Sequence, residues 1–433
     1  MRRFFQIYPT DAQRLKRQLC IASHNCGVGV VLDGNNFDVP DFMPAARKYE
    51  FIAGLKNRFD FSGDLTQLQG FHDEQKDWLL GYLSYDVKNQ LEDLQSVHPD
   101  RIELPELYFF VPRYLFINYD GKWEVGFLEE IDSEVTVREY LEDIDQLEET
   151  EYDIPDVKLN HQVSHKEYLE AIEKVLWHIQ RGDIYELNYC MEFFAQDVQL
   201  SPQLVYQRLK EISPTPFSAY MKLHDKYLMC ASPERYLKKC GTKVISQPIK
   251  GTSSRDNNPI IDRANKTYLE NSEKEQAENI MIADLVRNDL SRIATRGSVH
   301  PEELCGIYSF KQVHQMISTI SAQLPTDFHW VDAIKATFPM GSMTGAPKIS
   351  AMQLIEEYEM TKRGLYSGAI GYVSPEGDFD FNVVIRSVLY NQKKSCLSYM
   401  VGGAITNQSD PQKEYEECLL KASAIMKVFK IED

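Results

Sequence analysis

Short apolar runs alternate with polar turns through residues 1–128, and CGVGVVLD, LYFFVPRYLFINY and KWEVGFL read as strands. Between them, DWLLGYLSYDVKNQLEDL predicts an aromatic strand leading into a polar helical segment. Further along the period lengthens. His165–Arg181 carries Tyr168, Ile172, Val175, Leu176 and Ile179 on one helical face, and Arg181-Gly182-Asp183 ends it. IYELNYCMEFFAQ returns to a buried strand, with Glu186 and Asn188 on one face and Leu187 and Tyr189 on the other. KYLMCASPERYLKKC and KVISQPIKG flank Gly241-Thr242 as a hairpin. A three-residue bulged turn sets Glu234 opposite Lys250, and a two-residue turn offsets them by one. Pro233 and Pro248 stop regular pairing there. LYSGAIGYVSP, FDFNVVIRSVLY and SCLSYMVGGAI form a meander with turns at PEG and NQKK.

The stretch Glu270–Arg296 is the longest helical signal. Asn271 or Ser272 caps its start, acidic residues suit its first turn, and Gly297 suits its stop. Ala277, Ile280, Met281, Leu285 and Val286 are spaced as a buried stripe. Glu275 and Glu278, three apart, project from one side. A matching pair, Glu414 and Glu417, opens a second helix near the C-terminus. Two pairs of hard oxygen ligands on two helices suit one Mg²⁺ that keeps several waters. The bland alternative is solvated glutamates at positive helix ends.

Composition narrows the class. The 433 residues are 43% apolar and 26% charged, which makes a globular chain with ample core. A net charge of −18 without a basic patch argues against nucleic acid or an anionic membrane as partner. An anionic substrate would therefore need a metal or a few local Arg and Lys residues. Residues 129–160 are strongly acidic and read as a solvated helix and linker. They separate an N-terminal scaffold region, 1–160, from a region that carries the chemistry, 161–433, within one intertwined fold. The eight cysteines form no CxxC cluster, so reduced thiols and a cytoplasmic location are expected. No signal peptide, membrane span, repeat or low-complexity tract stands out.

Candidate chemistry gathers in the second region. Glu186 in a buried strand must be paired or functional. Glu234 and Lys250 at the open end of the hairpin are either a salt bridge or an acid beside a nucleophile or base. His314, in SFKQVHQMIS, is a buried-strand histidine. TFPMGSMTGAPKISAMQ is a glycine-bearing loop feeding a helix, but Lys348 is followed by Ile, so it is not a nucleotide-binding P-loop. Free N–H groups at Gly341–Gly345 could still hold an anion. Arg386 falls mid-strand on the face of Asn382, Val384 and Val388, where a buried Arg meets a carboxylate. Gly402 and Gly403 let backbone N–H groups approach a ligand.

SPERY, PIKGTSSR, EKEQAENIMIADLVRNDLSRI, FPMGSMTGAPK, LYSGAIGY, VVIRS and EYEECLLKA occur together, in this order, over about 165–427. In this the chain resembles the chorismate-utilising enzymes. That family includes component I of aminodeoxychorismate synthase and of anthranilate synthase, isochorismate synthase and salicylate synthase. DWLLGYLSYD resembles the weaker N-terminal pattern of the first two. PIKGT and GSMTGAPK resemble aminodeoxychorismate synthase component I more than anthranilate synthases, which usually read PIAGT. Two positions depart from the pattern. Glu186 stands where both glutamine-dependent types commonly carry Gln and the water-adding types carry Lys, and Ala404 replaces the last glycine of a GAG or GGG cradle.

The resemblance implies an α+β fold in which two antiparallel sheets pack face to face with helices outside. It implies conversion of chorismate and ammonia to 4-amino-4-deoxychorismate, on the way to para-aminobenzoate and folate. Lys250 would be the nucleophile and Glu234 the acid. Glu278 and Glu417 would bind Mg²⁺ directly, with Glu275 and Glu414 supporting through water. The metal would take the ring carboxylate, while Arg386, Tyr366, Gly402 and Gly403 would take the enolpyruvyl one. His314 and Ser342 would line the ring pocket, with Thr252 and Glu186 also contacting substrate. The chain has no glutaminase Cys elbow, so a separate glutamine amidotransferase subunit would supply ammonia. The rival readings are anthranilate synthase component I and a silent protein that binds chorismate or scaffolds the amidotransferase.

Overall fold

The structure is a computed structural model that describes residues 1–37, 42–43, 49–148, 157–311 and 313–429. Within them, twenty strands join in one hydrogen-bonded network, and every pairing is antiparallel. The network is two sheets forking from a shared seam. Leu107–Tyr119 pairs along its length with Tyr49–Phe61; on its other side, its first half takes Leu79–Leu83 and its second half Lys122–Leu128. From Tyr49–Phe61 one sheet runs through Val28–Asp33, Phe217–Leu223, Lys226–Ser232, Ser387–Asn391 and Cys396–Ile405 to Glu186–Ala195. From Leu79–Leu83 the other runs through Ala369–Val373, Phe379–Val383, Arg235–Cys240 and Lys243–Gln247 to Val313–Gln323.

Val30, Ile52, Tyr82, Tyr108, Met221, Leu228, Ile370 and Leu389 form one buried cluster drawn from both sheets, which is the core between their facing sides. Helices cover the outer faces. Tyr168, Ile172 and Val175 of the helix His165–Arg181 pack with Tyr189, Met191 and Phe193. Ala283, Val286 and Leu290 of the helix Glu273–Ser291 pack with Leu237, Ile320 and Trp330. The expected α+β arrangement of two face-to-face antiparallel sheets with helices outside is the one observed.

Local signals explain the elements. Ser164 and Glu167 close a reciprocal capping box on His165–Arg181, and Gly182 ends it at φ 82°. In the acidic tract, Glu134–Asp145 is the helix, while 149–156 lie outside the described residues.

Three expectations are corrected. The stretch beginning at Glu270 is two helices, Pro259–Asn271 and Glu273–Ser291, with Ser272 capping the second; it stops at Ser291, well before Gly297. Its buried face is Asn279, Ile282, Ala283, Val286, Asp289 and Leu290, while Ile280 is exposed. The stripe shifts because the polar Asn279 belongs to it. FDFNVVIRSVLY is not one strand: Phe379–Val383 lies in one sheet and Ser387–Asn391 in the other, so Arg386 sits at the crossing, with φ 50°.

Candidate active site

Glu234 lies at a second crossing between the sheets. Lys226–Ser232 belongs to one and Arg235–Cys240 to the other, with Pro233 and Glu234 between them. The two crossings run side by side: Ala231 N–H donates to Arg386 O (3.1 Å) and Val383 N–H to Glu234 O (3.0 Å). Proline and irregular backbone free both side chains from the ladder and set Arg386 within electrostatic reach of Glu234.

The buried Glu234 carboxyl is pushed up to about 7, chiefly by burial. Ser342, the Ile249 N–H, Lys250 and Arg386 pull it back in part. Ser342 Oγ is buried beside it without closing a hydrogen bond of ordinary geometry. Burial lowers Arg386 from the usual guanidinium value, and the Glu234 charge raises it.

The register of the hairpin corrects the pairing expected for Lys250. A two-residue turn sets Cys240 opposite Lys243, and a bulge between Arg235 and Lys238 then shifts Arg235 to Gln247. The strand breaks at Pro248, and Ile249–Ser254 pairs instead with Val313–Gln323. Lys250 Nζ therefore meets Glu186 Oε1 at 3.0 Å. Glu186 is positioned from below: Ala346 pairs with it, and Gly345 approaches so closely that a Cβ there would stand 2.1 Å from Glu186 O. Glu186 is buried, and neither oxygen has a donor aligned for a hydrogen bond.

The two glutamate pairs do come together. All four carboxylates, Glu275, Glu278, Glu414 and Glu417, act on the Lys274 ammonium, and Glu275 feels Glu417 from the other helix. Burial raises Glu275 and Glu414 and pushes Glu278 up to about 7, while the Lys421 ammonium holds Glu417 down. Lys274 lies 3.8 Å from Glu278 and Lys421 2.8 Å from Glu417. Lys250 also acts on Glu275, Glu278 and Glu417, so acid, lysine and carboxylate cluster form one site. Asn279 fixes this relation, donating to Lys250 O (3.2 Å) and Met316 O (3.0 Å) and accepting from Ser318. Gly251, at φ 90°, lets the next turn of chain pass Glu275, whose Oε2 would stand 3.1 Å from a Cβ.

This donor set fits a hard divalent cation. Carboxylates raised by burial and mutual repulsion gain from one, and ammonium groups now supply the compensating charge. Among the described residues, no three of these carboxylates bring oxygens within 4.8 Å of one another, so a bound ion would reach some of them through water.

The surroundings of the other expected site residues follow from the same packing. Glu414 Oε2 lies beside Gly403, where a Cβ would be 3.3 Å away. Gly402 O accepts from Lys421 (3.0 Å), and Cys190 Sγ takes the space a Gly402 side chain would need. Tyr366 is buried against Cys190 and raised well above the usual phenol value by burial. His314 is held at both nitrogens, by Ser309 (2.8 Å) and Asp262 (3.1 Å). Thr252 is exposed and pairs across the ladder with Gln315. In the glycine-bearing loop, Met343 and Thr344 N–H groups close its own turn, and Lys348 is tied to Asp289 (2.6 Å) and Thr337 O (3.0 Å). Two of its amides are thus spent on its own turn.

Asn279, Lys274 and Lys421 did not figure in the sequence reading. The lysines were legible, each standing four residues from a site glutamate on one helix face.

Comparison with known proteins shows the family and the fold. Residues 43–427 match the family described as chorismate binding enzyme. The chain is 32% identical over 367 residues to aminodeoxychorismate synthase component 1 of Bacillus subtilis (strain 168), covering 82% of this chain and 77% of that one. It is 40% identical over 268 residues to the probable chloroplastic aminodeoxychorismate synthase of Oryza sativa subsp. japonica, 61% of this chain but 30% of that protein, so it spans less than a third of that longer relative. The crystal structure of anthranilate synthase component I from Streptococcus pneumoniae TIGR4 superposes with a TM-score of 0.77 at 25% identity, covering 91% of this chain and 95% of that one. With the family match covering most of the chain and every carboxylate of the cluster, the chain belongs to the chorismate-binding enzymes.

Proposed function

We propose that the chain is an aminodeoxychorismate synthase component I, aminating chorismate to 4-amino-4-deoxychorismate on the route to para-aminobenzoate and folate. The observation that carries this is a buried acid, Glu234, raised to about 7, in one site with Lys250. The neutral Lys250 amine forms a bond to C2 of chorismate. The C1=C2 pair moves to C1=C6, the C5=C6 pair to C4=C5, and the C4–O bond breaks as Glu234 gives its proton to the leaving hydroxyl, releasing water. Ammonia then adds at C4, the double bonds shift back, and the C2–N bond breaks to return the lysine amine. Glu234 recovers a proton from the new ammonium centre.

Glu278 and Glu417 would hold Mg²⁺, with Glu275 and Glu414 in support, and the ion would neutralise the ring carboxylate as the electrons shift. Arg386, beside Glu234, suits the enolpyruvyl carboxylate. The ammonia would come from a separate glutamine amidotransferase subunit, in the cytoplasm, where reduced cysteines outside any disulfide are at home. No helix among the described residues is long and apolar enough to cross a membrane.

The test is the product formed from chorismate, Mg²⁺ and ammonium. A mass retaining the enolpyruvyl group together with one new amine supports the proposal. Anthranilate with released pyruvate would instead make the chain an anthranilate synthase component I, and no turnover would favour a silent binding protein.

A further inference from the structure

Outside this site, one cluster has ligand geometry. His72 and Asp73 lie in the last turn of the helix Leu65–Gln75, and His329 caps the helix Trp330–Thr337. One ligand atom from each lies within 4.8 Å of the other two. His72 is 6% exposed, and its Nε2 meets Ser374 O at 3.2 Å. That carbonyl can only accept, so Nε2 carries the hydrogen and the Nδ1 lone pair is left free. Nδ1 is buried without a hydrogen-bond partner, and so is His329 Nε2.

We propose that His72 Nδ1, His329 Nε2 and an Asp73 carboxylate oxygen form a binding site for a zinc-class divalent cation, with water as fourth ligand. Zinc takes nitrogen and carboxylate donors at ~2.0–2.2 Å, which in a tetrahedron puts neighbouring donors roughly 3.3–3.6 Å apart. His329 Nε2 and Asp73 Oδ1 already stand 3.5 Å apart. The Ser374 carbonyl behind His72 is the outer partner that orients a ligating imidazole. Two imidazoles and one carboxylate favour zinc over magnesium, which prefers oxygen alone. His329 Nδ1 accepts from Val331 N–H (3.1 Å), so ligation at Nε2 moves the ring hydrogen to Nδ1 and gives up that cap. The bound ion would in exchange fasten the end of one helix to the start of another. The cluster shares no residue with the proposed chorismate site.

The test titrates chelator-stripped full-length protein with Zn²⁺ by calorimetry, with excess Mg²⁺ present to occupy the glutamate cluster. One equivalent should bind and raise the melting temperature. Asp73→Asn, at an exposed position, and His329→Ala, whose ring is half-buried at the start of its helix, should each lose that equivalent. Affinity should fall by more than ~100-fold in His329→Ala, beyond the cost of losing an outer partner. Circular dichroism and chorismate turnover should stay unchanged in both variants. Failure of the wild type to bind zinc overturns the proposal. So does equal binding by wild type and His329→Ala, which would assign the ion to thiols or to the glutamates.

Discussion

Lys250 Nζ stands 3.0 Å from Glu186 Oε1, yet neither oxygen of this buried glutamate has a well-aligned donor. The contact is an ion pair held by placement, with lone pairs to spare. A carboxylate at this distance holds Lys250 Nζ in place by charge. Glu186→Gln keeps the shape and removes the charge. kcat should therefore fall, with the product unchanged. An unchanged kcat would show that Glu186 does not position the lysine.

Glu234 sets the basic limb of kcat against pH. Its folded-state value of about 7 lies above the ordinary 4.5, so the protonated acid persists to neutral pH and is lost as pH rises through about 7. Turnover should fall on that side. Glu234→Gln should remove the limb and lower kcat by ~10²–10⁴-fold, the usual worth of a positioned acid. A variant that keeps the wild-type rate would exclude Glu234 as the proton donor.

How far the sequence reached depends on what each feature needed. The helix His165–Arg181 was legible because Ser164, Glu167 and Gly182 mark its ends locally. The glutamate pairs were legible as spacing on two helices, and the chain resemblance tied them together. The crossing at Arg386 was not, because Phe379–Val383 and Ser387–Asn391 are both fully or nearly buried, and the apolar pattern runs unbroken across the change of sheet. The Glu186–Lys250 pair was hidden for another reason. It depends on a bulge and on a break at Pro248, and alternation within a strand fixes neither. Asn279 was missed because a polar residue in a buried stripe reads as an interruption until its carbonyl partners are seen.

The carboxylate cluster makes a prediction that needs no turnover. Glu278 is raised to about 7 by burial first and by Glu275 and Glu186 further down the scale. A raised carboxylate lends stability below its unfolded value of 4.5 and loses it as pH rises through about 7. A divalent cation offsets that loss. Mg²⁺ should therefore raise the melting temperature more at about pH 8 than at about pH 5.5. Glu278→Gln and Glu417→Gln should blunt the effect and abolish Mg²⁺-dependent activity while remaining folded. Thermal melts with and without Mg²⁺ that coincide at both pH values would remove the metal from this cluster.

Arg386 adopts a left-handed backbone, φ 50°, at the crossing beside Glu234. Arg386→Lys keeps the charge but loses the planar fork that grips a carboxylate at two points. Substrate affinity should weaken by ~10-fold or more, since a hydrogen bond to a charged group is worth roughly 1.5–3 kcal/mol. Direct measurement of chorismate binding checks this, and an unchanged Kd would leave Arg386 as a structural partner of Glu234 alone.

Lys250→Ala separates the proposed reaction from its nearest relative. If the lysine bonds to C2, removing it deletes one of two chemical steps, and formation of 4-amino-4-deoxychorismate should nearly vanish. Glu234 would still be present to help the hydroxyl leave, and C2 would be open. Ammonia could then add there directly, so traces of an anthranilate-type product are the expected leak. A lysine that served only as the counter-charge of Glu186 would behave otherwise: the variant would leave a buried carboxylate unpaired, losing stability and some rate but keeping the same product. Product mass and thermal melting of the one variant therefore decide between the roles. Trapping gives a second check, since wild-type protein held with chorismate and no ammonia should carry a mass adduct on the peptide containing Lys250. Undiminished yield of the same product from Lys250→Ala would end the covalent mechanism.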